Sequence, residues 1–223
     1  LYRGMIMSKI NAFLQSLFKK EFDPETVRYP EVSNRLETNQ KNIYIIGELV
    51  GIPLLKTALN NGVDVINNIL AEKKIGTQSE DEVYDVIIVG LGAGGFSAAI
   101  AAQNSGLKYI VLESDKEFST IQKFSKGKII LAEPITIENR SSIWLEETTK
   151  EELLEKWFAI LDEKKINYKT RVTVSNVKQD SNRLTVSTEE GNTYQATSVI
   201  LAIGKAGNPR KANIPGENNE KIR

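Results

Sequence analysis

The chain has 223 residues with 29 basic and 29 acidic side chains, and this balance removes the electrostatic basis for binding nucleic acid. It contains no cysteine and no histidine, so we predict no disulfide, no thiol redox centre, no histidine base and no metal site. No apolar run approaches the roughly 18 residues of a membrane span, and no secretory signal is recognised. We therefore expect a cytoplasmic protein without membrane association.

Residues 1–40 are predicted to form an N-terminal helix and an extended arm. Helical spacing relates Ile6, Ile10, Phe13, Leu14, Leu17 and Phe18. Polar residues with Pro24 and Pro30 follow, as is typical of an extended connection. The apolar face would dock on the core or on a partner subunit, and a helix lying on a membrane surface is the alternative.

Residues 41–71 are predicted to form a strand and a helix. The apolar strand Asn42–Ile46 leads into Gly47-Glu48, and a helix follows from about Pro53 to Leu70. Proline at the first helical position is typical of such a start. The charged and polar residues 72–82 are predicted to be a linker.

A glycine-rich turn between an apolar strand and a helix is the most informative motif of the chain. It follows Val83–Val89, and its pattern is Gly90-Leu-Gly92-Ala93-Gly94-Gly95. The first glycine would allow a tight turn, the second would let backbone amides approach a pyrophosphate, and the last would let the helix pack closely on the strand. The helix start would then present unpaired N–H groups to the anion.

A carboxylate ends the next apolar strand, Tyr109–Leu112. Glu113 follows Gly92 by about the 20 residues that the dinucleotide-binding fingerprint requires. It would accept hydrogen bonds from ribose hydroxyls and repel a 2′-phosphate, which favours FAD or NAD over NADP. Ser114 lies directly beside it and is included in the predicted site. The alternative is the same strand–helix–strand unit without a phosphate ligand.

The remaining chain indicates a mixed α/β fold. Residues 114–148 lack clear periodicity, and an amphipathic helix is predicted over Glu151–Glu163. Strand patterns occupy 166–168 and 171–174, and a hairpin is predicted from 183–187 and 193–196 around the turn 190–192. A separate, continuously apolar strand, Ser198–Ile203, then ends at Gly204.

This succession resembles the FAD domain of the two-dinucleotide-binding flavoproteins, the pyridine nucleotide-disulfide oxidoreductases that include thioredoxin reductase. The resemblance covers about 83–217. It implies an α/β, Rossmann-like three-layer domain over 83–223, with a parallel sheet and an antiparallel β-meander, truncated before an NAD(P) domain. In the family the adenine rests against a strand for which Val172 is the candidate. The backbone also approaches the dinucleotide at a small residue–Thr–Gly turn, which here is Ala202-Ile203-Gly204.

The family carries a second flavin motif near its C-terminus, and 41–71 is similar to it. There an acid after an apolar strand binds the ribityl chain, and the next helix begins beside the flavin pyrimidine; Gly47-Glu48 matches with Glu for Asp. We prefer a permuted order in which 41–71 completes this flavin site. The end of an earlier tandem copy and an unrelated strand–helix unit are the alternatives. Permutation would bring Lys56 to the pyrimidine edge, where a cation stabilises reduced flavin; a solvated lysine is the alternative.

The resemblance implies the FAD-binding portion of an NAD(P)H-dependent flavoprotein oxidoreductase. The chain has no Cys-x-x-Cys and no second glycine fingerprint, so NAD(P)H is expected to bind outside this segment, and no catalytic side chain is assigned. Expected partners are a second copy of the chain or a nicotinamide-binding domain. An NAD-binding dehydrogenase or sensor domain is one alternative, against which the meander argues. A non-catalytic interaction module is the other.

Overall fold

The computed structural model describes residues 29–72, 82–180 and 183–205. The predicted N-terminal helix, most of the predicted linker and the tail after 205 lie outside these residues. The described strands are β1 (Ile43–Ile45), β2 (Val83–Val89), β3 (Tyr109–Leu112), β4 (Ile129–Ile130), β5 (Thr148–Thr149), β6 (Tyr168–Lys169), β7 (Val174–Asp180), β8 (Arg183–Thr188) and β9 (Thr193–Leu201). The described helices are α1 (Leu55–Glu72), α2 (Ala93–Asn104), α3 (Ser119–Gln122) and α4 (Lys150–Lys164).

Seven strands form the main sheet, in the order β6-β3-β2-β9-β8-β7, with β1 also paired to β9. The pairs around β2 are parallel, as are β1 with β9 and β3 with β6. The meander β7-β8-β9 is antiparallel. Parallel neighbours buried on both faces explain why β2 and β3 consist of nearly uninterrupted apolar residues.

Strand β9 belongs to both parts of the sheet. Its first half pairs antiparallel with β8, and its second half runs parallel to β1. Our prediction of two separate strands here is therefore wrong. Side chains alternate between exposed and buried in the first half and are buried throughout Ser198–Leu201. A change in burial along one strand produced a pattern that resembled two strands.

The domain combines helices with a mostly parallel sheet and an antiparallel meander, which confirms the predicted α/β, Rossmann-like fold class. Val86 and Ile88 of β2 join an apolar cluster with the helices, whereas Ile87 and Val89 join a second cluster with side chains of the meander. Successive side chains of a strand point to opposite faces. One face of β2 therefore packs on the helices, and its other face packs on side chains of the meander, whose strands β8 and β7 continue the same sheet beyond β9.

The helical layer is held together by close approach of α1 to α2. A Cβ at Gly62 would lie 2.6 Å from both the Ala98 nitrogen and the Gly94 oxygen. At the same crossing the Ser97 hydroxyl donates to the Leu59 carbonyl at 2.6 Å. A residue without a side chain at position 62 lets the two backbones approach this closely.

Strand β7 begins later than the sequence pattern predicts. The predicted strand 171–174 is loop as far as Thr173, because Arg171 adopts φ +57°, which interrupts extended backbone. The irregular segment 114–148 contains the short helix α3 and the first residue of β5, which pairs with β4.

Candidate functional site

The glycine turn connects β2 to α2 and requires glycine at both of its ends. Gly90 has φ +105°, and a Cβ there would lie 2.5 Å from the carbonyl oxygen of Ala202. A Cβ at Gly95 would lie 1.9 Å from the carbonyl oxygen of Gly90. The tight turn and the close helix packing expected for these two positions are thus both present.

The start of α2 is open. Gly92 precedes the first helical residue, Ala93, and no side chain caps the helix; its first turn also carries no acidic residue. Within the part of the chain that the structure describes, a Cβ at Gly92 would meet no atom within 4 Å. The first amides of a helix lack intrahelical partners and carry the positive end of its dipole. This helix start is therefore suited to an anion such as a pyrophosphate.

Glu113 is buried at the end of β3, with 7% of its surface exposed. Its carboxylate accepts the amide protons of Leu91 at 2.6 Å and Asp115 at 2.8 Å, and lies 3.4 Å from the Ser114 hydroxyl. A carboxylate has about four acceptor positions, so capacity for a ribose hydroxyl remains. The predicted acid therefore adjoins the glycine turn and also holds it in place.

Val172 lies beside this acid. Its amide donates to the carbonyl oxygen of Glu113 at 2.9 Å, and the Arg171 amide donates to that of Asp115 at 3.2 Å. Val172 itself is half-buried. The loop before β7 thus adjoins the end of β3, where the family resemblance places the adenine.

The turn after β9 adjoins the glycine turn from the other side. The Ala202 amide donates to the carbonyl oxygen of Val89 at 2.8 Å. Two residues later Gly204 adopts φ +61°, and a Cβ there would meet no atom of the described residues within 4 Å. The Ala202–Gly204 turn therefore leaves open space at the carboxyl end of β9.

The element that begins with β1 meets the same edge of the sheet. Gly47 follows β1 with φ +78° and begins a short 3-10 helix that contains the half-buried Glu48. A Cβ at Gly94 would lie 3.3 Å from Cδ1 of Ile46. Ile46 contacts the first turn of α2, and Gly47 and Glu48 follow it directly in the chain. The two predicted site residues therefore lie close to the start of α2.

Lys56 lies in the first turn of α1 and is buried, with 7% exposed. Its ammonium donates to the carbonyl oxygen of Pro134 at 2.7 Å. The alternative of a solvated lysine is therefore wrong. The structure joins Lys56 to the loop before β5, while the other predicted site residues lie at or beside the carboxyl ends of β1, β2, β3 and β9.

Sequence reasoning missed the side chains that hold this loop. Asn60 donates to the Glu138 carbonyl at 2.8 Å and accepts from the Arg140 amide at 2.8 Å, and Arg140 pairs with Asp64. These contacts join residues 76 to 80 positions apart. Local periodicity carries no information on such pairs. In the sequence, the only indication of these contacts is that α1, a helix with an apolar face, also carries polar residues.

Within the described residues, no group of three or more acidic, cysteine or histidine side chains is placed to hold a metal. A helix long and apolar enough to cross a membrane is likewise absent from the part of the chain that the structure describes.

The fold and these neighbouring turns define a Rossmann-like α/β domain of the kind that binds dinucleotides at the carboxyl edge of its sheet. Comparison with protein families matches residues 87–223 to the pyridine nucleotide-disulphide oxidoreductases. The chain belongs to this family.

Individual relatives agree with this assignment. The chain is 26% identical to a ferredoxin–NADP reductase of Ignicoccus hospitalis, over 60% of the chain and 40% of the relative. It is 29% identical to a subunit of the alkyl hydroperoxide reductase of Staphylococcus aureus, over 70% of the chain and 29% of the relative. The chain thus spans less than half the length of these two curated relatives.

A solved structure supports the fold. The bacillithiol disulfide reductase of Staphylococcus aureus superposes with a TM-score of 0.50 and 19% identity, over 63% of this chain and 44% of that one. At this identity the similarity concerns architecture alone.

Proposed function

We propose that this chain is the FAD-binding portion of an NAD(P)H-dependent flavoprotein oxidoreductase. The observation that carries the proposal is the uncapped start of α2 beside the buried carboxylate of Glu113. An anion-binding helix start and a ribose acceptor one strand away are what a dinucleotide requires. Membership of a family of nucleotide-dependent oxidoreductases agrees with it.

The residues fit an extended FAD. The amides of residues 92–95 would hold the pyrophosphate, and Glu113 would accept from the adenosine ribose. The adenine would rest against Val172, and the flavin would extend towards Gly204 and Glu48. The space over Gly92 and Gly204 supports this course, since no atom of residues 29–72, 82–180 or 183–205 lies within 4 Å of a Cβ added at either position.

Strand β1 supports the permuted interpretation of 41–71. It pairs in parallel with β9 of the same chain, with Ile43 opposite Val199 and Ile45 opposite Leu201. A strand that completes this sheet needs no preceding tandem copy. We therefore place Glu48 at the ribityl chain and the start of α1 at the flavin pyrimidine.

Lys56 would supply positive charge at the pyrimidine end of the flavin. It is buried in the first turn of α1, and its bond to the Pro134 carbonyl uses one of three ammonium protons. The bound flavin supplies the redox chemistry, and the protein supplies its position and electrostatics. We assign no catalytic side chain.

NAD(P)H is proposed as the electron donor, bound outside this segment. A nicotinamide-binding domain or a second copy of the chain is the proposed partner, in the cytoplasm. On this proposal the chain alone binds FAD but oxidises NADH weakly or not at all, and steady NADH oxidation by the purified chain would contradict it.

Equilibrium dialysis against FAD, FMN, NADH and NADPH, together with an absorbance spectrum, tests the cofactor. We expect FAD to bind and to give a yellow protein. A chain that stays colourless after incubation with FAD contradicts the proposal. Binding of NADH alone would instead favour an NAD-binding domain. If none of the four binds, a non-catalytic module is favoured.

A matched pair of variants tests the permuted flavin site. Glu48→Ala removes the proposed ribityl partner and is expected to weaken FAD binding about 10-fold, the order expected for one hydrogen bond to a charged group. Glu31→Ala removes an exposed carboxylate of the arm and should leave FAD affinity unchanged. If Glu48→Ala also has no effect, residues 41–71 do not complete the flavin site, although FAD binding at the glycine turn could persist.

A further inference from the structure

The loop before β5 presents apolar side chains to solvent. Four of the seven large apolar side chains that are exposed in the described part of the chain lie within 129–137. The exposed fractions are 55% for Ile129, 56% for Leu131, 85% for Ile135 and 37% for Ile137. We call these four side chains the loop surface. Four exposed large apolar side chains within nine residues exceed the single, scattered ones that are normal on a protein surface.

The loop surface is held in place by polar contacts of the main chain. The carbonyl oxygens of Pro134 and Glu138 accept from Lys56 and Asn60, one helical turn apart on α1. The Arg140 amide donates to Asn60 as well. Because the backbone of 134–140 is fixed to α1 in this way, the exposure of Ile135 belongs to an ordered segment.

The described chain begins close to the same end of α1. The ring of Tyr29 lies 3.7 Å from the position of a Cβ at Gly51, and its hydroxyl accepts from Lys205 at 2.9 Å. Next to Gly51, Ile52 is 48% exposed. Lys56, which reaches Pro134, follows Ile52 by four residues in the chain. Residues 1–28 therefore join the described part near the start of α1, the helix to which the loop is anchored.

The composition of the preceding segment fits this surface. Its apolar residues from Ile6 to Phe18 recur at helical spacing. Residues 19–28 can span at most about 35 Å when extended, which limits how far from Tyr29 these apolar residues can lie. Its lysines Lys9, Lys19 and Lys20 complement the exposed Glu133 and Glu138, which flank Ile135 and Ile137.

We propose that residues 6–18 of the same chain dock on the loop surface and cover Ile135. This inference is independent of the proposed function, because it requires no cofactor. It assigns an occupant to the apolar loop and makes the N-terminal segment part of the same folded unit as the candidate site.

Engineered disulfides test the proposal cleanly, because the chain contains no cysteine. The full chain carrying Phe13→Cys and Ile135→Cys is expected to form an intramolecular disulfide under mild oxidation, identified by peptide mass spectrometry. The matched control carries Gln15→Cys and Ile135→Cys. If residues 6–18 form the helix that their spacing predicts, Gln15 lies on the face opposite Phe13, so at least about 5-fold less cross-link is expected. Equal cross-linking of the two pairs would overturn the proposal.

The size of the cross-linked product identifies other occupants. A disulfide-linked dimer whose yield rises with protein concentration would mean that a second copy covers the loop, and it would refute docking in the same chain. Leu17→Cys with Ile137→Cys provides a second pair if the first variant fails to fold. A failure of both folded pairs to cross-link also counts against the proposal.

Thiol labelling supplies a measurement that does not depend on cross-linking geometry. In the full chain carrying only Ile135→Cys, the added changes Phe13→Asp and Leu17→Asp should accelerate maleimide labelling about 3- to 10-fold. An unchanged rate would overturn the proposal. If FAD slows the labelling while the two aspartates have no effect, the flavin covers Ile135 and the N-terminal segment does not.

Discussion

The carboxylate of Glu113 accepts the amide proton of Leu91 at 2.6 Å, across the gap between the end of β3 and the glycine turn. The acid that the fingerprint assigns to a ribose thus also fixes the conformation of the turn that faces the proposed pyrophosphate. Because Glu113 is 7% exposed and also accepts from Asp115, it organises two turns before any ligand arrives. The proposed ribose acceptor and the anion-binding amides are therefore linked by one side chain.

Glu113→Ala is expected to lower both stability and FAD affinity. Without the carboxylate the Leu91 and Asp115 amides lose their acceptors, which costs about 1–3 kcal/mol for each amide that stays buried. We expect the unfolding free energy without FAD, measured by urea titration, to fall by about 2–3 kcal/mol. Fluorescence titration should show FAD affinity at least about 10-fold weaker, as expected for the loss of a hydrogen bond to a charged group. Glu113→Gln keeps one acceptor oxygen and should lose less stability than Glu113→Ala. If Glu113→Ala is as stable as the parent, Glu113 does not hold the two turns in place.

Gly92→Ala should separate ligand binding from folding. Among the described residues no atom lies within 4 Å of the added Cβ, and Gly92 has φ −88°, which alanine adopts readily. The unfolding free energy should therefore change by less than about 0.5 kcal/mol. The methyl group would occupy the space through which the α2 amides reach a pyrophosphate, so FAD affinity should fall about 10-fold or more. An unchanged affinity would place the pyrophosphate elsewhere.

The glycine motif and its flanking elements could be predicted from sequence because they are local. Gly90, Gly95 and Glu113 lie within 24 residues, and strand, turn and helix each leave their own periodicity. The structure confirms the fold class and the close packing at Gly95. Binding of FAD at these residues stays a prediction.

Features that depend on contacts distant in sequence were predicted poorly or not at all. The loop residues that Asn60 binds lie about 80 positions away in the chain, and no sequence pattern near Asn60 indicates them. The pairing of β1 with β9 joins residues more than 150 positions apart. From sequence, the permuted order that this pairing supports was preferred over two alternatives and was not established. The left-handed conformation of Arg171, which delays β7, also has no local signal, since arginine rarely adopts it.

Lys56→Met is expected to loosen the loop that carries Ile135. Lys56 holds the Pro134 carbonyl at 2.7 Å from a buried position, and methionine retains the volume without the donor. Amide exchange of residues 131–140, followed by mass spectrometry, should accelerate about 10-fold, the equivalent of about 1.4 kcal/mol. Lys128→Met is the control, because Lys128 lies over the Phe124 ring, outside this segment. Equal exchange in the parent and Lys56→Met would show that the other anchors suffice.

Stability at alkaline pH should depend on Tyr44. Burial, and then the charges of Glu37 and Glu72, raise the pKa of the Tyr44 hydroxyl well above its ordinary value of 10.0. The folded state therefore holds this proton more tightly than the unfolded chain. The resulting stability is complete below about pH 10 and decreases as the pH rises above it.

The Tyr44→Phe variant measures this contribution. A single proton changes the unfolding free energy by at most about 1.4 kcal/mol per pH unit. Urea titrations between about pH 9 and 11, on either side of the ordinary tyrosine pKa, should show a shallower decline in the variant than in the parent. Tyr29→Phe alters an exposed ring and is the control. Parallel curves for the parent and Tyr44→Phe would assign the alkaline loss to other groups.

Gly62→Ala should destabilise the packing of α1 on α2, and with it the strand–helix element assigned to the flavin end. The added Cβ would lie 2.6 Å from backbone atoms of Ala98 and Gly94, which cannot move without shifting α2. Forcing a methyl group into such a contact costs about 1–3 kcal/mol, although alanine within a helix recovers up to about 1 kcal/mol through its propensity. A net loss of about 1–2 kcal/mol in urea titration is therefore expected. Val63→Ala, at the next position and only half-buried, is the control for a change in side-chain size on α1. Because the first turn of α2 faces the proposed pyrophosphate, FAD affinity should fall together with stability in Gly62→Ala. A Gly62→Ala variant that is more stable than the parent would contradict the close packing of α1 on α2.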